Sequence, residues 1–346
     1  MTNQKTVGLV VAPGVTEHLA ENLIQEMPKM LSTHYDYQQE WIFDLVTDPL
    51  TGFAESVDEI FEKVADYHDK RQWDYVIAIT DLPMFADKQV MALDINMENG
   101  AAIFSYPAFG WRPVKKRFKH AIYNIIQELN EAEQESRNYD NNNQIENSVK
   151  KQFPLSKIDK ETIYMKETDS YHLRYLSSSR SRGMFRLVSG MTFANNPLNM
   201  MASLSNIVAI AFTTGAFGLV FTTMWQMAYN FSMWRLFGIS IIAIIGMLIW
   251  IMMSHDLWEP VNKSNHKRIT WLYNLTTIMT LIFAIIIYYI ILYLLFLIAE
   301  IVLLPSGFLG QQVGLKGPAG IDLYLSIPWF AASISTVAGA IGAGLL

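Results

Sequence analysis

Carboxylates and hydroxyls gather where three short apolar runs end. Asp44, Asp48, Thr51 and Gly52 lie at and beyond the end of the second run, Thr80 and Asp81 close the third, and Pro13-Gly14 follows the first. If the runs are parallel strands, the three sets share one rim, the edge of an open α/β sheet where ligands bind. Carboxylates there can hold Mg²⁺ together with a phosphate, or accept hydrogen bonds from ribose hydroxyls, and a helix opening at Gly14 can offer free backbone N–H groups to an anion. Gly14, Asp44, Asp48, Thr51, Thr80 and Asp81 are therefore the candidate ligand-binding set, with Mg²⁺ the one cofactor that their chemistry suggests. The same residue types also cap helices and form turns. Glu17 sits where an anion would approach the first helix, and neither the GxGxxG nor the Walker A spacing is present. The seven histidines show no HExxH or comparable spacing, so no metal is assigned to them and no catalytic residue is named.

The elements that position these residues follow from period and punctuation. Residues 6–12, 41–46 and 75–80 are β-branched apolar runs, and residues 15–31 and 55–71 carry apolar side chains at helical spacing. Strands joined by helices of this length imply a parallel core. Residues 90–96 and 101–106 flank Asn99-Gly100, a hairpin signal, so the sheet is expected to be mixed but mainly parallel. A third helix follows over residues 113–133, beginning with Lys115, Lys116, Arg117 and Lys119. The expected organisation is an α/β domain over 1–134, a polar, Asn-rich linker and strap over 135–179, in which the weakly patterned residues 153–170 are either a short hairpin or a strap, a basic juxtamembrane segment over 180–196, and a transmembrane domain over 197–346.

That last domain sets the class of the protein. A bilayer core of about 30 Å needs roughly 20 apolar residues of helix, and four runs qualify: about 198–225, 236–253, 272–304 and 324–346. The third is longer than the hydrocarbon requires and must tilt or project. Glu300 is the one acid well inside a run, either a functional group or a side chain reaching the outer interface, and Asn206 lies on a polar line of the first run that could meet water or another helix. Small residues from Ala332 to Gly344 form two stripes in the fourth run, a pattern for tight packing or for self-association through that span. The run reaches Leu346 without a basic anchor, so either the chain continues or neighbours hold the helix.

Lys and Arg flank the first run and lie between the second and third, which places the amino-terminal domain in the cytoplasm and the protein in a bacterial inner (plasma) membrane. Trp225, Trp234, Trp258, Trp271 and Trp329 fall near expected span ends. Arg180, Arg182 and Arg186, interleaved with apolar residues, either bind lipid headgroups from an interfacial helix or are an ordinary positive-inside flank. The partner so implied is the lipid bilayer. A net charge of −6 argues against nucleic acid, and the absence of cysteine excludes disulfides and thiolate metal sites.

DPLTG at 48–52, TDLP at 80–83, Pro107-Ala108-Phe109-Gly110 and LWE at 257–259 resemble a group of uncharacterised bacterial membrane proteins. The resemblance covers most of the chain and implies a cytoplasmic α/β domain fused to four spans, without an activity. The leading expectation is a homo-oligomeric membrane protein whose α/β domain binds a ligand or partner and is coupled to a membrane domain, with permeation or transport as its candidate activity. The alternatives are a membrane-bound enzyme using metal on Asp48 and Asp81 against a phosphorylated or lipid-linked substrate, and a scaffold.

Overall fold

The computed structural model describes residues 3–34, 39–49, 57–111, 114–133, 158–165, 170–198, 200, 205–260 and 267–343. The chain divides into two units, Met1–Ala194 and Asn195–Leu346.

The first unit is built on a mixed sheet. Strands β1 (Asn3–Val11), β2 (Gln39–Thr47), β3 (Tyr75–Thr80), β4 (Met84–Ala86), β5 (Gln89–Asn96), β6 (Ala101–Ser105), β7 (Ile158–Met165) and β8 (Ser170–Ser177) lie in the order β2-β1-β3-β6-β5-β8-β7, with β4 on β5. β2, β1, β3 and β6 are parallel, whereas every pairing of β4, β5, β7 and β8 is antiparallel. The sheet is thus mixed without being mainly parallel. The difference comes from β7 and β8, an antiparallel pair that extends the sheet beyond β5 where a short hairpin or a strap was expected. Its outer strand carries exposed side chains at Asp159, Glu161, Thr162 and Tyr164, which suits a polar sheet edge.

Helix α1 (Val15–His34) buries Ala20, Leu23, Met27 and Leu31, one stripe at helical spacing. Helix α2 (Val57–Arg71) buries Ile60 and Val64, and α3 (Val114–Glu133) buries Phe118, Ile122, Ile125 and Leu129. A short 3₁₀ helix, Tyr106–Phe109, ends at Gly110, whose φ of +72° favours glycine. Against it lies α4 (Arg180–Ala194), and a Cβ at Gly190 would stand 2.0 Å from the Pro107 carbonyl oxygen. Only glycine permits that approach.

The second unit is helical: α5 (Ser205–Leu219), α6 (Thr222–Asn230), α7 (Met233–Ser254), α8 (Lys267–Leu303), α9 (Ser306–Gln312) and α10 (Ile321–Ala343). Three of these, α7, α8 and α10, are long and apolar enough to cross a membrane. The continuous first run expected over 198–225 is broken instead: α5 and α6 meet at 90°, and the count reaches four only if that bent pair is one span. No proline marks the break. It is closed by Trp225, whose Nε1 donates to the Leu219 carbonyl at 2.8 Å and satisfies a group that helix continuation would have used.

Four small residues of α10 pack within the chain. Ala332, Ser335, Thr336 and Ala340 are buried, and a Cβ at Gly215 of α5 would lie 2.0 Å from Ser335 Oγ, so the stripe serves close packing of α5 on α10. Trp234, Trp258 and Trp271 are exposed as interfacial rings should be, whereas Trp225 is buried at the break. Trp329 instead donates to Ser240 Oγ at 2.6 Å, inside a cluster in which Ser333 Oγ lies 3.1 Å from Ser240 Oγ and 2.6 Å from Tyr289 OH. Those four polar groups tie α7, α8 and α10 together.

Candidate functional site

The strand-end rim assembles, but most of its groups already have partners. Gly14 takes φ +98° at the start of α1, and its N–H donates to Glu17 Oε2 at 3.3 Å while Thr47 Oγ1 donates to Glu17 Oε1 at 2.8 Å. The Glu17 carboxylate therefore occupies the position an anion would take, and those two hydrogen bonds hold it below the usual carboxylate range. Asp48 is buried, accepting from Tyr67 OH at 2.8 Å with Lys63 Nζ 3.6 Å away. Asp44 lies off the rim, opposite Gly8 in the β1–β2 register and paired with Arg71 at 3.0 Å. Thr80 is buried and its Oγ1 accepts from the Leu82 N–H at 3.0 Å, a local turn bond. Asp81 is the exception: its Oδ1 is buried without a hydrogen-bond partner among the described residues, and desolvation raises its carboxyl above the ordinary value. Thr51 lies outside the described residues. No group of three His, Cys, Asp or Glu side chains among the described residues is arranged to hold a metal ion.

A second constellation lies deeper in the same unit, and sequence reasoning missed it. Asp94 on β5 is fully buried, with Oδ1 2.8 Å from His172 Nδ1 and Oδ2 accepting from Arg174 Nε at 2.8 Å. His172 Nε2 is in turn 3.1 Å from Ser170 Oγ. The connectivity is that of a Ser–His–Asp triad. Ser170 is buried, however, and Asn96 Nδ2 donates to its Oγ at 3.3 Å, so the hydroxyl is enclosed by the sheet that presents it. Residues 94 and 172 pair only through the β5–β8 ladder, a contact that no local motif announces.

The three arginines of the basic segment separate. Arg180 and Arg182 are exposed, whereas Arg186 is buried, its Nε donating to Ala108 O at 3.1 Å and its Nη2 to Phe109 O at 2.8 Å. Arg117 on α3 reaches the same turn, with Nη1 3.0 Å from both Phe109 O and Trp111 O. Pro107-Ala108-Phe109-Gly110 is thus a turn clamped by two guanidinium groups. Burial and the nearby Arg117 push Arg186 down to about 9, which still leaves it charged at neutral pH.

In the helical unit, Asn206 is exposed on α5, and Thr213 on the same helix is exposed with its hydroxyl returned to Ala209 O at 2.8 Å. Glu300 differs from both. It follows Leu292 and Phe296 at steps of four on the inward face of α8, is 0% exposed, and neither carboxylate oxygen has a hydrogen-bond partner among the described residues. Its side chain is enclosed by protein and not exposed at the surface, as that of a residue near a helix end might be. Instead it lines a cavity of about 320 Å³ whose other walls include Leu219, Thr222, Trp225, Leu304 and Phe308. The cavity therefore opens at the α5–α6 break, and α9, whose Phe308 stands edge-on to Trp225 at 5.8 Å, covers it.

Compared with known proteins, the chain matches no family, no curated protein and no solved structure.

Proposed function

We propose that the chain is a membrane transport protein in which Glu300 holds a proton or a small monovalent cation during passage. One observation carries this reading: a fully buried carboxyl, unbonded among the described residues, lines a cavity where a membrane helix is broken. An ionised carboxylate in an apolar interior is costly, so such groups persist in membrane helices chiefly where an ion or proton uses them. Irregular backbone within a membrane is tolerated where protein or a cavity covers it, and broken helices are a recurrent way to build ion sites. The Lys and Arg excess beside the α/β unit supports a cytoplasmic position for it and a plasma-membrane address for the protein. A Mg²⁺-dependent enzyme using Asp48 and Asp81 is less favoured, because metal would have to displace Tyr67 and Lys63 from Asp48.

The test is flux. Protein reconstituted into liposomes loaded with a pH-sensitive dye is challenged with a pH gradient, then with Na⁺ and K⁺ gradients, for the native chain and Glu300→Gln. The expected result is a rate at least tenfold lower in the variant for one of these ions. Equal rates in native, variant and empty liposomes would remove the proposal.

A further inference from the structure

We propose that the cavity formed by α3, α4 and the turn after Tyr106–Phe109 binds an organic phosphate, its phosphoryl oxygens on Arg117 and Arg182 and its apolar body against Trp111 and Phe185. The space is about 630 Å³, within the range of small-molecule sites. Three guanidinium groups line it, those of Arg117, Arg182 and Arg186, and no carboxylate does so among the described residues.

The partners of these arginines matter as much as their number. Arg117 binds only the neutral carbonyls of Phe109 and Trp111, both through Nη1, leaving its Nε and Nη2 unbonded among the described residues. Arg182 is exposed in the first turn of α4 beside Ser181, whose hydroxyl also lines the space. Burial and mutual repulsion lower the Arg186 guanidinium, and burial lowers that of Arg117 as well, so an anion in the cavity would relieve a cost already present in the fold. Guanidinium forks match phosphate geometry and give the stronger, charge-assisted class of hydrogen bond. A bare inorganic anion would leave the rest of the cavity unused. Trp111 and Phe185 are 51% and 71% exposed, two large apolar faces beside the cationic wall, and Phe193 supports the Trp111 ring at 4.9 Å. The ligand therefore couples phosphate to an apolar or aromatic body. Both a soluble phosphomonoester and an anionic lipid headgroup have that chemistry.

This inference concerns the α/β unit alone and does not depend on the transport reading. The full chain is placed in phosphatidylcholine nanodiscs and titrated calorimetrically with phenyl phosphate; in a second arm, nanodiscs doped with phosphatidate are analysed by native mass spectrometry for retained lipid. Arg182→Gln is the main variant, since Arg182 is exposed and makes no clamp to the turn; Arg117→Gln is the second, with its melting curve checking the fold. The expected result is binding in at least one arm that weakens tenfold or more in Arg182→Gln, about 1.4 kcal/mol, and falls with added salt. Binding of phenyl phosphate alone identifies a soluble ligand, and retention of phosphatidate alone identifies a headgroup. No binding in either arm, or binding that Arg182→Gln leaves unchanged, overturns the proposal.

Discussion

Replacing Glu300 with methionine should stabilise the helical unit. In the native fold the carboxyl is 0% exposed and both oxygens lack hydrogen-bond partners among the described residues. A buried polar group left unsatisfied costs about 1–3 kcal/mol. Methionine is a comparable unbranched length of chain and adapts to irregular space, so most of that cost should be recovered against the Leu219, Leu304 and Phe308 walls. For a unit of this size, about 2–4 °C of melting temperature accompanies each kcal/mol, and the expected gain is on the order of 2–10 °C. Glu300→Gln keeps a polar group in place and should gain less, within about 1 kcal/mol of the native chain. Thermal unfolding in one detergent, at one fixed scan rate because unfolding of such proteins is often irreversible, measures the difference. A stabilised, flux-deficient Glu300→Met chain is what a functional carboxyl predicts, stability having been given up for activity. A methionine variant that melts several degrees below native would refute the reasoning, since it would mean that the carboxyl makes bonds the fold depends on.

Three further outcomes follow from the α/β unit. Asp81→Asn should raise stability at pH 7: the folded carboxyl is raised by desolvation, so its favourable contribution is present in full below its ordinary value of 3.8 and is lost as pH rises through the higher folded value. Denaturant melts at pH 7 and below about pH 4 should show the gain shrinking to nothing in acid; an equal gain at both would contradict the assignment. Asp94→Ala should cost about 3–5 kcal/mol, because it leaves the buried His172 and the partly buried Arg174 against a missing charge. Ser170→Ala should cost no more than about 1.5 kcal/mol, and the same melts distinguish a structural network from one in which the hydroxyl is indispensable.

The strand and helix alternation of residues 3–133 was legible because each element has a local signature: β-branched runs, helical apolar spacing, and punctuation at Pro13-Gly14 and Asn99-Gly100. The rim was legible in position and illegible in state. Whether Asp48 is open to a ligand depends on Tyr67 and Lys63, both on the following helix, and Asp44 is settled by Arg71; spacing within residues 44–52 carries no trace of either partner. The β7–β8 hairpin was legible only as one of two alternatives, and with shorter bounds, for a related reason. Its outer strand is exposed at the sheet edge, so its sequence is too polar to announce itself, and only pairing with β5 makes it part of the core. Arg186 misled in the opposite sense, since a basic residue in a membrane-flanking helix looks solvated until the carbonyls of residues 108 and 109 are found beneath it.

Glu300 shows what a membrane helix conceals. On a water-facing helix, polar and apolar faces differ and the phase of a residue can be read directly. Helix α8 is apolar all round: Leu281, Ile285, Tyr288, Leu292 and Phe296 are buried, yet the opposite face offers Phe283, Ile286, Ile290, Leu294 and Ile298, which are exposed. Lipid and protein interior select the same side chains, so the sequence states that Glu300 is in the helix and withholds which way it points. Length misleads similarly at α5 and α6, where an unbroken apolar run bends by 90° with no proline to mark the place. The two hidden features are one feature in space. At the break Trp225 donates to the Leu219 carbonyl, and Leu219, Thr222 and Trp225 line the same cavity as Glu300. If Glu300 carries an ion as proposed, a substitution that straightens the break is expected to lower the same liposome flux as Glu300→Gln.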